Sequence, residues 1–327
     1  MAITDALTYA KWKLEGSTYK TTAETNWKSF GHGVKLTTFN ANNNMKYIYG
    51  INNQEAAAAV GGAFMGTGSV DFVLADPWIL SALTGNSPTT TGAGPYTHKF
   101  LDTSAAPTLA KTVKSFTVEA GADLTTDLVR TMSGCVPTSF KLNATQGSEI
   151  KCSLDFDYAT EALTTTYGTN VTSTDAPYTF AYGTLEIPVS TTIARVESVD
   201  VTITRNAEVK HSLGSRLGSH YLTKLSEYTI NVTVPLEDAS LLDDFYGLDA
   251  GTTPQAIMAE IATLRLVFNN AAATTANRQV DLKFSNLSIN EFGTPFNEGE
   301  QINQILSLNA RTWTLCQAIN NQSTQPA

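Results

Sequence analysis

The amino-acid sequence predicts a mainly β protein of two tandem domains, each a small β-sandwich or barrel with a short flanking α-helix. Apolar and polar residues alternate along many short segments, which is typical of strands with one buried face. Charged residues make up only 16% of the 327 residues, and small or polar residues such as Thr, Ser and Asn are abundant. The alternating segments recur after about half the chain, which indicates a tandem duplication.

The series of elements is clearest in residues 195–247. Apolar and polar side chains alternate up to Thr204, and residues 205–208 are predicted to form a polar hairpin. A second alternating run covers residues 228–236. Residues 237–247 start with acidic side chains and end at a glycine, which predicts one or two helical turns.

A similar series occurs earlier in the chain. Gly50 lies 164 positions before Gly214, and Gly85 lies 162 positions before Gly247. This nearly constant offset supports two copies of one strand and helix series. The alternating runs of the first copy are residues 34–40, 45–49 and 69–74, followed by a predicted helix at 76–85.

Three further runs complete each copy: 113–119, 136–143 and 150–158 in the first, and 264–268, 280–290 and 305–314 in the second. The N-terminal arm either packs on a neighbouring molecule or supplies the first strand of its own domain. We therefore predict domain one at residues 1–165 with the arm at 1–30, a linker at 166–176, domain two at 177–320 and a flexible tail at 321–327.

Residues 150–158 form the cleanest alternating run. One face is expected in the core and the other in water. The core face carries Ile150, Cys152, Leu154, Phe156 and Tyr158, and the wet face carries Glu149, Lys151, Ser153, Asp155 and Asp157.

Residues 51–68 are predicted to be a long loop with an unusually apolar centre. Such a loop is expected to be covered by protein. One interpretation is a short helix on its own domain, and the other is a flap that docks on a second subunit. The side chains expected at that inter-subunit contact are Ala56, Ala57, Val60 and Phe64.

No catalytic, cofactor-binding or metal-binding motif stands out. None of the four histidines has ligand spacing, and the nucleophile-elbow and phosphate-loop patterns are absent from the sequence. Asp155 and Asp157 have a separation that could suit glycosidase carboxylates, but such pairs are common on solvent-facing strands. We therefore predict a protein that is not an enzyme and needs no cofactor or metal.

The charge and the cysteine content further restrict the class of protein. The three cysteines lack CxxC spacing, which favours free thiols in a reducing compartment. No signal peptide and no apolar run of transmembrane length is visible, so no membrane insertion is expected. A net charge of −9 argues against a protein that grips nucleic-acid phosphates, but suits a surface that nucleic acid slides past.

Residues 180–247 carry a resemblance to a known family. The segments are Phe180 to Leu185, Val196 to Ile203, Asn206-Ala207-Glu208, Leu213 to Arg216, and Leu236-Glu237-Asp238 with Leu241-Leu242 before Phe245-Tyr246-Gly247. In these segments the chain resembles the tail tube proteins of long-tailed bacteriophages and archaeal viruses, whose fold is shared with the type VI secretion tube. The first copy resembles them less, with Tyr49-Gly50 in place of Leu213-Gly214 and no Ser-Arg after it.

The resemblance implies a structural virion protein made in the host cytoplasm. It implies a homo-oligomer of stacked rings, either a trimeric pseudo-hexamer or a hexamer, that forms a hollow tube for passage of double-stranded DNA. The implied partners are tail terminator, tape-measure and baseplate or tip proteins. The tandem form favours a non-contractile tail. The side chains expected to face the lumen are Glu149, Lys151, Asp155 and Asp157.

A second class remains open from the sequence. A monomeric adhesive or carbohydrate-binding β-sandwich would also show alternating strands without a catalytic motif. Such a protein would present aromatic side chains on one face, and Trp27, Trp78 and Trp313 are the candidates. Self-assembly distinguishes the two classes, because a binding module has no need to form tubes.

Overall fold

Two successive sets of strands make up the protein, and their strand-pairing patterns are closely related. In the computed structural model the described residues are 8–16, 18–21, 24–51, 55–103, 113–188, 191–193, 195–236, 245–246, 253–254, 260–270, 278–295 and 301–321. The chain up to residue 164 is called half one, and the chain from residue 184 is called half two.

Half one contains the following elements: β1 (Thr8–Leu14), β2 (His32–Asn42), β3 (Lys46–Tyr49), β4 (Ala56–Val60), β5 (Met65–Val73), α1 (Leu80–Thr84), β6 (Thr89–Thr91), β7 (Tyr96–Asp102), β8 (Phe116–Ala122), β9 (Leu128–Thr145), β10 (Lys151–Tyr158) and β11 (Thr160–Thr164).

Half two contains the following strands: β12 (Thr184–Glu186), β13 (Ser198–Thr204), β14 (Glu208–His211), β15 (Gly218–Leu222), β16 (Glu227–Pro235), β17 (Ile261–Asn269), β18 (Gln279–Gly293) and β19 (Asn303–Asn320). Short 3-10 turns cover Pro77–Ile79 and Phe180–Tyr182.

The pairing of strands in half two repeats that in half one. The antiparallel order β2-β5-β10-β9 in half one corresponds to β13-β16-β19-β18 in half two. The small hairpin β3–β4 corresponds to β14–β15, and the β8·β9 pair corresponds to β17·β18. The duplication inferred from the sequence is therefore visible as a duplicated topology, and the prediction of a mainly β fold is confirmed.

A single sheet path runs through both halves. β13 of half two pairs with residues 139–145 of β9, so the two sets of strands lie side by side. β7 of half one also pairs with the last part of β19. These contacts hold the halves together through backbone hydrogen bonds as well as through side chains.

The long strands β9, β18 and β19 let each half form two layers. The first part of β9 pairs with β8 and β11, and its second part pairs with β10 and β13. The apolar core lies between these layers and includes the rings of Trp12, Trp78 and Trp313, which are at most 1% exposed. Burying rings of this size supplies a large share of the hydrophobic stabilisation of a core.

Helix α1 follows β5, as the sequence predicts. The 3-10 turn that precedes it starts at Pro77, and the helix ends at Gly85, whose φ of 76° is left-handed and favours glycine. The corresponding helix predicted at residues 237–247 lies mostly outside the described residues. Phe245 and Tyr246 are helical there, and the Phe245 ring stacks on Phe292 with centroids 5.8 Å apart.

Two sequence expectations differ in detail from the structure, and one of the two alternatives for the N-terminal segment is observed. Residues 205–208 do not form a hairpin turn, because β13 pairs with β9 and β16 whereas β14 pairs with β15. Residues 51–68 are not a loop throughout, since they contain β4 and the start of β5. Within the N-terminal segment, β1 pairs with β8 as a strand of half one.

Candidate functional site

The wet face predicted for residues 149–158 lies on one side of β10. Cys152, Leu154, Phe156 and Tyr158 are buried, whereas the alternate residues are partly or fully exposed. Lys151 is exposed, Ser153, Asp155 and Asp157 are partly exposed, and Glu149 precedes the strand with a backbone bridge to Thr179. The side chains predicted to share a wet face therefore lie along one side of the strand.

This polar face continues over the neighbouring strands of half one. Ser153 lies between Lys141 of β9 and Asp71 of β5 in the strand register. Asp155 lies between Ser139 and Ser69, and the Ser69 hydroxyl donates a 2.6 Å hydrogen bond to Asp155 Oδ1. The hydrogen bond fixes the orientation of a carboxylate that the sheet leaves partly exposed.

The polar face then crosses into half two without a break. Lys141 pairs with Thr202, and Asn143 pairs with Asp200, to which its amide also donates. These residues were not predicted to belong to a site, although Asp200 and Thr202 lie in an alternating run that predicts a polar strand face. A concave groove of about 670 Å³ lies along this junction.

The described side chains of the polar face are more acidic than basic. Carboxylates in the same face repel one another unless lysines lie between them. The carboxylates are Asp71, Glu149, Asp155, Asp157, Asp200, Glu227 and Glu291, and the basic side chains are Lys35, Lys141, Lys151 and Arg311.

Asp157 differs from the other carboxylates of this face. Burial against half two, together with the nearby charge of Glu208, raises its pKa to about 6. Glu208 is held ionised by Lys210 and Lys224, which lower its pKa to about 2. Asp157 therefore lies at the contact between the halves.

The hairpin β3–β4, called the first arm, extends from half one into solvent. All nine residues of its two strands are exposed, including Ala56, Ala57 and Val60. The alternative of a short helix covering its own domain is therefore wrong for this segment. Phe64 differs from the other three residues expected at this contact, because it lies at the base of the arm against Tyr158, with ring centroids 6.1 Å apart.

The equivalent hairpin of half two, β14–β15, is called the second arm, and it lies against half one. Val209 and Tyr221 pack in a small apolar cluster with Val136 of β9. The Gly218 amide donates to the Ala159 carbonyl at 3.3 Å. At the tip, the Arg216 guanidinium donates to the Gly62 carbonyl at 2.8 Å. The two arms are equivalent in topology, but only the second is covered within the described part of the chain.

Arg205 strengthens the junction between the halves, and sequence reasoning missed it by assigning it to a turn. Its side chain is 1% exposed. The guanidinium donates to the Leu83 carbonyl of α1 and to the Tyr228 hydroxyl, and lies 5.6 Å from the centre of the Trp313 ring. Burial lowers the pKa of Arg205, so the charge is retained at a cost in desolvation.

The described residues hold no candidate metal centre and no disulfide. No group of three or more His, Cys, Asp or Glu side chains among them could hold a metal ion. Cys135, Cys152 and Cys316 are free and buried, and burial raises the pKa of each thiol. None of the described helices has the length and apolar character needed to cross a membrane.

The tryptophans do not form a binding face. Trp78 and Trp313 are core residues, so the expectation that they line an exposed surface is wrong. Trp27 is partly buried, and the ammonium groups of Lys11 and Lys13 lie within 4.9 Å and 4.3 Å of its ring centre. The aromatic platform that a carbohydrate-binding module requires is not assembled from these three residues.

A duplicated β-sandwich with a continuous polar face and an uncovered arm is typical of structural proteins that associate through their sheets. The chain belongs to the phage tail tube protein family, whose model matches residues 15–290. This match confirms the resemblance found in the sequence. The protein is therefore a structural tail tube component of a virion, in a family that assembles with other tail components into a tube. A search of curated proteins gave no match.

Proposed function

We propose that the protein self-assembles into stacked rings of three chains, whose hollow interior conducts double-stranded DNA into the host. The observation that carries the proposal is the pairing of β13 with β9. This pairing joins two equivalent halves into one sheet with a continuous polar face. If the same junction is repeated between chains, three chains close six halves into a pseudo-sixfold ring. A ring of six chains would contain twelve halves.

The size of the resulting barrel suits the passage of a double helix. Each half supplies four strands to the polar face, so six halves supply about 24 strands. With strands about 4.8 Å apart and tilted by roughly 40°, the barrel is about 48 Å wide between backbones. Barrels of roughly 16–18 strands already hold a water-filled channel.

The polar face has the charge expected of a conduit. In the proposed ring Glu149, Lys151, Asp155 and Asp157 face the lumen together with their neighbours on β5, β9 and β13. An excess of carboxylates repels DNA phosphates and so prevents adhesion during transit. Lys151 and Lys141 reduce this repulsion without reversing its sign.

The first arm supplies a contact to another subunit in this proposal. Ala56, Ala57 and Val60 are exposed on it, and Phe64 anchors its base. The tail terminator, the tape-measure protein and the baseplate or tip proteins bind at the ends and interior of the tube. The chain is made in the host cytoplasm, needs no cofactor and catalyses no reaction.

Negative-stain electron microscopy of the purified protein tests the proposal. We expect hollow tubes of stacked rings, and a ring mass of three chains of 35.1 kDa each. A ring of six chains would overturn the trimer, while leaving the tube in place. A homogeneous monomer that never assembles, even when concentrated, would overturn the proposal and favour the adhesive β-sandwich, for which a glycan-binding screen is the next experiment.

A further inference from the structure

The two arms occupy equivalent positions in the duplicated chain. Lys46 and Glu208 open the first strand of each arm, and Ala56 and Gly218 open the second; both pairs are 162 residues apart. Asn42 and Thr204, which end β2 and β13, have the same separation. Each residue at the junction made by half two therefore has a definite counterpart in half one.

The surfaces that receive an arm are equivalent as well. The β9·β10 pairing skips Thr138, and the β18·β19 pairing skips Asn290, so both ladders contain a bulge at positions 152 residues apart. A bulge is a fixed feature of a ladder and sets its register. The counterparts of Ser139, Phe140 and Lys141 in β9 are accordingly Glu291, Phe292 and Gly293 at the end of β18.

One copy of the junction is made within the chain. Thr204 pairs with Ser139, Ile203 with Phe140, and Thr202 with Lys141. The second arm then lies over Val136 and Ala159 of half one.

The equivalent junction, between β2 and the end of β18, is not formed among the described residues. No described strand pairs with the outer edge of β2, and beyond Leu287 the described part of β18 pairs with β19 alone. On the first arm Tyr47 is 61% exposed. An open strand edge next to an exposed aromatic hairpin is a surface that proteins normally cover.

We propose that β2 and the first arm of one chain bind the end of β18 in a second copy of this chain, with the geometry of the β13·β9 junction. The proposal rests on the ring assembly above and assigns the surfaces that close it. In this register Asn42 pairs with Glu291, Ala41 with Phe292, and Asn40 with Gly293. Polar residues then meet on the lumen side, and apolar residues meet on the core side.

The side chains of the first arm match the proposed receiving surface in size. Tyr47 is the counterpart of Val209, and Ser288 is the counterpart of Val136. A larger side chain on the arm thus faces a smaller one on the receiving strand, which preserves the volume available at the contact. Arg311, the counterpart of Ala159, offers its backbone carbonyl to the amide of Ala56.

The interface is heterologous, because the surface that one chain offers differs from the surface that it binds. Such head-to-tail contacts close into a ring when the rotation per step divides a full turn. Since the internal junction already supplies one step of the same rotation, three chains and six junctions complete the ring.

Cysteine cross-linking in assembled tubes tests the register. Asn42→Cys combined with Glu291→Cys places two thiols on directly opposed residues, within reach of a disulfide. Oxidation with copper phenanthroline should give covalent dimers and trimers on a non-reducing gel, and reductant should remove them. The native cysteines are buried and serve as an internal background.

The matched control is Asn42→Cys with Ser307→Cys, on the same exposed face but one strand further away, because Glu291 pairs with Ser307. That separation is about 10 Å and too long for a disulfide. Tubes that form without a cross-link in the Glu291 pair, or with equal cross-linking in both pairs, would overturn the interface and leave the tube intact. A wild-type chain that stays monomeric would overturn both.

A second variant tests the interface independently of the cysteine substitutions, which could themselves prevent assembly. Tyr47→Asp should leave the folded monomer unchanged by circular dichroism and raise the concentration needed for tubes at least tenfold. Leu163→Asp is the control, because Leu163 is 67% exposed and lies on β11, which contributes no residue to the proposed strand pairing. Normal assembly of Tyr47→Asp would show that the first arm does not bind as proposed.

Discussion

At the scale of single residues, Arg205 ties half two to half one. Its guanidinium is buried, yet it has no carboxylate partner among its hydrogen bonds in the described structure. Hydrogen bonds from its two terminal nitrogens to Leu83, Ser226 and Tyr228 replace part of the lost water, whereas the buried Nε has no hydrogen-bond partner among the described residues. The side chain therefore contributes through packing and hydrogen bonding at a place where both halves meet.

Replacing Arg205 with Ala should lower the free energy of unfolding by about 2–4 kcal/mol, because a cavity forms and buried acceptors lose their donor. Urea denaturation of the monomer measures this loss. Arg311→Ala is the control, since Arg311 is 70% exposed and its ion pair with Glu260 is at the surface. Equal effects of the two substitutions would contradict the role given to Arg205.

Asp157 should make stability depend on pH. Its pKa is about 6 in the folded chain and 3.8 in the reference state, so the folded chain binds more protons between these values. Stability from this group therefore rises as the pH falls from 7 to 4. Asp157→Asn should be more stable than the wild type at pH 7, and the difference should shrink towards pH 4. Thermal melts across this range test the prediction, and a difference independent of pH would refute it.

At the scale of elements, the packing of β5 against β10 relies on two glycines. A Cβ at Gly68 would lie 2.4 Å from the Phe156 ring, and one at Gly66 would lie 2.2 Å from the Tyr158 ring. Phe156 is held in turn by Phe116, with ring centroids 5.5 Å apart. The rings of β10 thus lie directly over the backbone of β5, and no other residue type leaves room for them.

Gly68→Ala should destabilise the monomer by about 1–3 kcal/mol through overpacking. Gly293→Ala provides a strand glycine for comparison, because the nearest atom to its added Cβ is 4.0 Å away. Chemical denaturation of both variants gives the two values. A loss at Gly68 no greater than that at Gly293 would mean that the Phe156 ring can move aside.

The sequence predicted elements whose pattern is local and missed those that depend on distant pairing. The alternation from Cys152 to Tyr158 and the glycine-terminated helix α1 were both readable, because each signal lies within one short segment. β4 was taken for a loop since four of its five residues are alanine, which has low strand propensity.

The β13·β9 junction shows why part of the candidate site could not be predicted from the sequence. Its two strands are far apart in sequence, and alternation states which face is polar but not which strand lies alongside. The polar residues of β10 were therefore found, whereas their neighbours Asp200 and Thr202 required the structure.

At the scale of the whole molecule, the polar face would define the inside of the proposed tube, and the opposite layer its outside. Asp155→Cys labelled with a maleimide gold particle should give density within the lumen of the tubes in electron micrographs. Leu163→Cys, on β11 of the other layer, should give density away from the lumen. Gold on the outer surface with Asp155→Cys would contradict the assigned orientation.

The β6–β7 hairpin distinguishes the two halves, so in the proposed ring it would fix the rotational symmetry of the tube. Residues 85–115 join α1 to β8 in half one, whereas the corresponding segment of half two, residues 247–260, is about half as long. A ring of three chains then carries three such hairpins, so turning it by 60° does not superimpose it on itself, but turning it by 120° does. Layer lines in the diffraction pattern of the tubes should accordingly include weak threefold reflections that a true sixfold tube forbids.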